Sequence, residues 1–438
     1  MTDHLAIAGD VAPAPDRPSA LKVVTFGCRL NAVESDAILA QAVADGVTNA
    51  VIFNTCAVTG EAVRQARQAI RKAHREQPRA RLIVTGCAAQ IDPDSFALMP
   101  EVARVVGNAQ KTMPGALIDS GPRVRVMDIM ALRSAAGALN PGTQKRARAY
   151  VEVQNGCDHR CTFCIIPFGR GNSRSTSIDQ VVTRVRTLAD AGYAEVVLTG
   201  VDLTSWGADL PTTPTLGRLV RHILAEVPHL ARLRLSSIDT AEIDDDLMTA
   251  LAEERRLAPH LHLSLQSGDD LILKRMKRRH SVADALSLIR AVRIVRPETA
   301  IGADLIAGFP TETDTAFNNT LRLVETAQLS FLHVFPYSPR PGTPAARMPR
   351  VAPATVKARA TALREAGEAA LIRHLDRRLG TPVQALVERP GLARAEDFTE
   401  VTFHGQATMG ALIIGVVADH NGRQARLETW RADPGSRR

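Results

Sequence analysis

Short apolar runs alternate with amphipathic stretches along most of this 438-residue chain. LKVVTF (21–26), AVIFN (50–54) and RLIVTG (81–86) are brief, rich in Val and Ile, and separated by stretches whose apolar residues recur at helical spacing. Runs of that length read as buried strands, and strands alternating with helices build a parallel sheet. Helices are expected over 31–44 and 61–77, the second one basic, with another short one after residue 87. A second series begins near residue 150 with AYVEVQ, EVVLTG, RLRLSS, HLHLSLQ, AIGADLIAGF and FLHVF. Helical stretches near 178–191, 214–226, 241–255, 281–296 and 313–327 separate them. Six β-α units are too few to close the eight-stranded barrel, so an open (β/α)6 barrel is predicted. Ala360, Leu363, Gly367, Leu371 and Leu375 then make one helical stripe, and PVQALVER, EVTFHG, ALIIGVVA and ARLETW predict a small antiparallel β-barrel.

The expected fold class is α/β, with an N-terminal parallel α/β sheet domain, a central open barrel and a small C-terminal β-barrel. The boundaries follow the punctuation. Residues 1–20 read as a disordered leader, because no basic segment precedes an apolar one there. Residues 21–130 form the first domain, and 131–149, with Asn140-Pro141-Gly142 and four basic residues, form a linker. The barrel occupies 150–375 and the last domain 376–432. No apolar run approaches bilayer length, which argues against a membrane and for a cytoplasmic chain. Lys and Arg outnumber Asp and Glu by 54 to 46, a formal +8 that suits a polyanionic partner such as nucleic acid.

In a reducing compartment the six cysteines are read as thiols rather than disulfides. They fall into two triplets. Cys28, Cys56 and Cys87 each follow an apolar run of the first domain, at the strand ends where ligands of parallel sheets gather. Buried core thiols would more often lie within the strands. Cys157, Cys161 and Cys164 form C-x3-C-x2-C in one loop after the first barrel strand. Three thiolates can hold a four-iron cube and leave one iron open for chemistry. A zinc site completed by His159 is the other reading of the loop, although structural zinc motifs favour two C-x2-C pairs.

QNGCDHRCTFCIIPFGRG, followed by a β/α array, resembles the radical S-adenosylmethionine (SAM) enzymes. GCRLNAVES, NTCAVT and VTGCAAQ upstream, with SLQSGDD and LIAGFPTET downstream, narrow the resemblance to the methylthiotransferases, over roughly 21–375. That resemblance implies two [4Fe-4S] clusters and SAM. Cys157, Cys161 and Cys164 would hold the radical-generating cluster, and Cys28, Cys56 and Cys87 an auxiliary cluster whose open iron binds the sulfur to be inserted. SAM is expected to lie against Phe163, Gly200, Val201, Asp202, Ser264, Gln266, Gly308 and Pro310. Gly308 would allow a ligand close to the backbone. Arg170 and Arg174 are candidate contacts to substrate or to the SAM carboxylate. Asn155 and Phe168 depart from the usual pattern without touching an implied ligand.

GCRLNAVES is similar to the branch acting on threonylcarbamoyladenosine at tRNA position 37, where C2 of the base gains a methylthio group. Isopentenyladenosine and a ribosomal-protein aspartate are the alternative targets within the family, and a zinc-stabilised RNA-binding protein is the alternative outside it. The tRNA anticodon loop is thus the implied partner, with a monomeric enzyme. An electron donor and a sulfur source are needed too, and the sequence names neither. Lys274, Arg275, Lys277 and Arg278, in KRMKRRH, are candidate phosphate contacts. The C-terminal barrel is similar to the small RNA-binding (TRAM-like) barrel that ends this family, with Phe398, Phe403 and Trp430 as its few aromatics for stacking.

Overall fold

The computed structural model describes residues 21–118, 121–133 and 146–433, so the leader and most of the linker lie outside the described residues. Contacts divide the chain into two units. The first comprises residues up to 144 with 154–174 and 339–343, and the second holds the remainder. The loop with Cys157, Cys161 and Cys164 therefore belongs to the N-terminal unit, although in sequence it interrupts the barrel.

The first unit is built on a parallel sheet whose strands follow sequence order: Lys22–Thr25, Ala50–Thr55, Arg81–Gly86, Arg104–Val106 and Val124–Arg125. The first three strands match the apolar runs. The last two are only three and two residues long, too short to carry a periodic signal. Helices Arg29–Ala44 and Gly60–Glu76 follow the first two strands, and the Thr59 side chain caps the second by accepting from the Ala62 N–H. The central strands are buried on both faces between two apolar clusters, which is why they read as unbroken apolar runs.

In the second unit six strands run parallel in sequence order: Ala149–Glu152, Glu195–Thr199, Arg232–Leu235, His260–Gln266, Ala300–Ala307 and Phe331–Pro336. The third continues after a break as Ser237–Ile238, which pairs with the fourth. Helices pack one face of this array, and the expected 241–255 helix starts only at Asp245, where the Asp244 carboxylate caps it. A further helix, Asp270–Met276, absent from the expected elements, runs into the start of the basic stretch 274–280.

Helix Pro353–Arg378 leads into a closed five-stranded barrel of Pro382–Arg389, Leu392–Ala395, Glu400–Thr402, Leu412–His420 and Ala425–Ala432. It departs from a purely antiparallel barrel at one seam, where Glu400–Thr402 pairs parallel with Ala425–Ala432. The wholly buried Glu195 carboxylate lies within 2.9–3.0 Å of the guanidinium groups of Arg148, Arg232 and Arg234. Arg232 and Arg234 also donate to backbone carbonyls of Gln384, Glu396 and Ala395, and Arg148 pairs with Glu388, so the small barrel is tied to the strand array. Phe398 stacks on His260 with ring centroids 4.8 Å apart, and Arg234 lies 5.2 Å from its ring. These contacts and burial occupy Phe398 and Phe403, so neither is an exposed stacking platform. Trp430, half-buried, meets Phe403 edge-on and donates to the His404 carbonyl.

Candidate functional site

Cys56 and Cys87 come directly after the second and third strands, and Cys28 three residues after the first, all at the carboxyl edge of the sheet. The glycine before two of these cysteines is enforced by crowding there. A Cβ on Gly27, at φ +92, would lie 2.6 Å from the Cβ of Cys56 and 2.7 Å from its Sγ. On Gly86, at φ +93, it would lie 2.3 Å from the Thr55 backbone nitrogen. The strand ends thus press together at this corner, and all three cysteines are free thiols. Burial pushes the Cys56 thiol up to about 12, with Cys28 and Cys87 pushing the same way. Cys28 keeps a solvent-accessible edge, yet the protein around it still raises its thiol while Arg170 opposes. Thiols close enough to disfavour one another's ionisation suit a positively charged metal core, which deprotonates its ligands.

A buried polar network surrounds Cys87. Arg170 Nε donates to Cys87 Sγ at 3.1 Å, and its two terminal nitrogens donate to both oxygens of Glu34, one of them also to Asn31. Lys111 Nζ lies 2.6 Å from Glu34 and donates to Asn108 Oδ1. Asn108 Nδ2 approaches Cys87 Sγ at 3.7 Å and donates to the Gly169 carbonyl at 2.6 Å. Burial alone would raise the Glu34 carboxyl, but Arg170 and Lys111 hold it at about 2. Arg170 is therefore no free contact for a substrate carboxylate. It is 3% exposed and fully committed to Glu34, Asn31 and Cys87. Arg174 is also buried and donates to the backbone carbonyls of Asn172 and Arg170, holding the turn between them. Asn31, Glu34, Asn108 and Lys111 were absent from the expected site. Asn31 and Glu34 lie inside the quoted string GCRLNAVES, which was the available signal.

The second triplet sits in a loop braced by its own backbone. Cys157 N–H donates to the Gly171 carbonyl and Cys164 N–H to the Cys161 carbonyl, both at 3.0 Å. Arg160 donates to the carbonyls of Cys157 and His159 and to the Asn172 side chain. Gln154 donates to the Gly156 carbonyl and to Ser173 Oγ. Gly156, at φ +78, leaves no room for a side chain, since a Cβ would lie 1.8 Å from the Asn172 carbonyl oxygen. All three thiols are partly accessible, as is Phe163 between the last two. Helix Ile166–Arg170 leaves this loop and packs on helix Cys87–Ile91, so both triplets share one unit.

The other expected SAM contacts lie at strand ends of the second unit. Gly200 and Val201 follow strand Glu195–Thr199, and the buried Asp202 accepts from Ser205 Oγ at 2.8 Å. Ser264 and Gln266 end strand His260–Gln266, Gln266 at φ +69, and the Ser264 carbonyl accepts from Arg278. Gly308, at φ +72, is explained by the protein itself, because a Cβ there would lie 2.5 Å from Val356 Cγ2 of the helix after the barrel. Pro310 precedes Thr311, another positive-φ residue, whose hydroxyl accepts from Arg275. Of the basic run, Arg275 is thus held by Thr311 and Arg278 by Asp239, whereas Lys274 and Lys277 are exposed.

Two sequence families match in succession. Residues 20–107 match the uncharacterized protein family UPF0004, and residues 151–324 match the radical SAM superfamily. The chain is 48% identical to the threonylcarbamoyladenosine tRNA methylthiotransferase MtaB of Rickettsia prowazekii, over 89% of this chain and 93% of that protein. It belongs to the radical SAM methylthiotransferase family. MtaB of Thermotoga maritima is 35% identical to this methylthiotransferase over 84% of its length and 86% of that protein. The tRNA-2-methylthio-N(6)-dimethylallyladenosine synthase of Erythrobacter litoralis is 32% identical over 90% and 94%. The radical SAM methyltransferase TsrM from Kitasatospora setae, solved with cobalamin and a [4Fe-4S] cluster, shares the fold at TM-score 0.51 and 16% identity, covering 72% of this chain and 70% of that one. The methylthiotransferase uses SAM and [4Fe-4S] clusters, and no helix among its described residues is long and apolar enough to cross a membrane.

Proposed function

We infer that the protein transfers a methylthio group to C2 of N6-threonylcarbamoyladenosine in tRNA, at position 37 of the anticodon loop. The reading rests on relatives of that activity matched along nearly the whole chain. The observation in the molecule that supports it is the meeting of Cys28, Cys56 and Cys87 at one sheet edge, in the unit that also carries the C-x3-C-x2-C loop. Each triplet supplies three thiolates, the number that leaves one iron of a cube without a protein ligand. Cys157, Cys161 and Cys164 would hold the radical-generating cluster, and Cys28, Cys56 and Cys87 the auxiliary one. When bound, the clusters and SAM supply an electron, a hydrogen-abstracting radical, a methyl group and the sulfur to be inserted.

The chain's own groups prepare these sites. Arg170 steadies the Cys87 sulfur through an N–H contact, and Glu34 and Lys111 balance the buried charge around it. Arg160, Gln154 and Gly156 fix the loop of the second triplet. Phe163, Gly200, Val201, Asp202, Ser264, Gln266, Gly308 and Pro310 are the proposed SAM contacts. The exposed Lys274 and Lys277 are the proposed phosphate contacts, whereas Arg275 and Arg278 are held by Thr311 and Asp239. The enzyme would act as a monomer in the cytoplasm, where tRNA is.

Protein purified anaerobically should contain iron and acid-labile sulfide near about eight each, for two four-iron cubes. Cys161→Ala should lose about half the iron and all cleavage of SAM, whereas Cys56→Ala should keep cleavage and lose sulfur insertion. Nucleoside mass spectrometry of tRNA from a deletion strain should show the 2-methylthio form of threonylcarbamoyladenosine missing. Unchanged tRNA nucleosides, or sulfur insertion retained by Cys56→Ala, would overturn the reading.

A further inference from the structure

The barrel strands alternate between two faces. Leu261, Leu263 and Leu265 on one strand, and Ala303, Leu305 and Ala307 on the next, belong to the apolar core packed by the helices. His262 and Asp304 therefore project from the opposite face. His333, on strand Phe331–Pro336, stands directly across from Asp304 in register, and Gly302 stands across from His262. A Cβ on Gly302 would lie 2.5 Å from His262 Nδ1, so the missing side chain makes room for the imidazole. His262 Nε2 lies 2.9 Å from Asp304 Oδ1, and His333 Nδ1 lies 3.2 Å from the same oxygen. The ligand atoms of all three residues fall within 4.8 Å of one another, and the two imidazole centroids are 4.4 Å apart.

We propose that His262, Asp304 and His333, residues that belong to neither cysteine triplet, bind one divalent transition-metal cation of the zinc type. Bonds of about 2.0–2.1 Å to nitrogen or oxygen, opened by angles between a right angle and the tetrahedral value, separate donor atoms by about 2.8–3.4 Å. Both measured separations lie at that spacing. Two imidazoles with one carboxylate are the donor set of zinc or iron(II), not of magnesium or calcium, which prefer oxygen throughout. Three protein ligands leave coordination positions open, and the His333 side chain, 54% exposed, marks the side from which an oxygen donor reaches them. The competing arrangement is a purely hydrogen-bonded triad, in which each imidazole N–H donates to Asp304 and no cation is held. Metal binding would instead require both of those nitrogens to present lone pairs, each proton moving to the other ring nitrogen or, from an imidazolium, to solvent.

Zinc retention separates the two. Cluster-loaded protein would be equilibrated anaerobically with Zn²⁺, dialysed into metal-free buffer, and analysed for zinc and iron together. Wild type should keep about one zinc per chain, while Asp304→Asn and His333→Ala should lose it with their iron unchanged. Since His333 is largely exposed, His333→Ala should melt like wild type without zinc, and added zinc should raise the melting temperature of wild type alone. No zinc on wild type, equal zinc on wild type and both variants, or zinc kept by His333→Ala would each overturn the three-ligand site.

Discussion

Replacing Arg170 with Met removes a buried cation, and the geometry determines which partner suffers. Lys111 lies 2.6 Å from Glu34, so the carboxylate keeps a counter-ion after the substitution. The loss of about 3–5 kcal/mol that follows when a buried charge is stripped of its partner is therefore largely avoided. What cannot be replaced is the 3.1 Å contact from Arg170 Nε to Cys87 Sγ, because the approach of Asn108 to that sulfur is longer, at 3.7 Å. A hydrogen bond to a charged acceptor contributes about 1.5–3 kcal/mol. At 1.4 kcal/mol per factor of ten, Arg170→Met should hold the auxiliary cluster about tenfold to a hundredfold more weakly. The assay is iron release into a chelator under anaerobic conditions. About half the iron should leave early and the rest at the wild-type rate, since only one triplet is affected. Glu34→Ala makes the opposite case, leaving both cations without their carboxylate, and should lower the unfolding midpoint as well. If Arg170→Met released its iron as slowly as wild type, the role assigned to this guanidinium would be wrong.

Gly308→Ala should destabilise the chain through both its φ of +72 and the 2.5 Å approach to Val356 Cγ2. Adding Val356→Ala should recover only part of the melting temperature, because the left-handed backbone cost of about 1–2 kcal/mol remains. Glu195→Gln leaves three buried guanidinium groups without their carboxylate and should cost about 3–5 kcal/mol. It should be read as faster proteolysis near the start of the small barrel, and proteolysis at the wild-type rate would refute it. Burial works against Asp397, but the His374 and Arg378 side chains hold its carboxyl well below the usual range. Its stabilisation is thus present above the unfolded value of about 4 and is lost as pH falls through and below it. Between about pH 5 and pH 3 the melting temperature of wild type should drop more steeply than that of Asp397→Asn.

Much of the scaffold was legible because its signals are local. Apolar runs gave the first three strands of the sheet and all six barrel strands, and the position of a cysteine after each of three runs placed those thiols at one edge. The paired strands Arg104–Val106 and Val124–Arg125 carry too few residues for any pattern to emerge. The polar network beneath Cys87 joins residues up to 139 positions apart, and no local spacing announces such a set. Arg170 and Arg174 follow a loop motif and read in sequence as candidate contacts to a carboxylate, but the fold buries both. Gly308 showed the need for close approach and not its cause, which is Val356. Phe398 reads in sequence as an aromatic for RNA stacking, but tertiary packing commits it to His260 and Arg234.

The carboxylate with three arginines has a practical corollary for anyone dividing this chain into pieces. Cutting it after the long helix would strip Arg232 and Arg234 of their acceptors in the last domain and uncover the ring of His260. A fragment ending there is thus a damaged floor rather than a trimmed enzyme, and losing tRNA recognition in it would say little about which surface touches RNA.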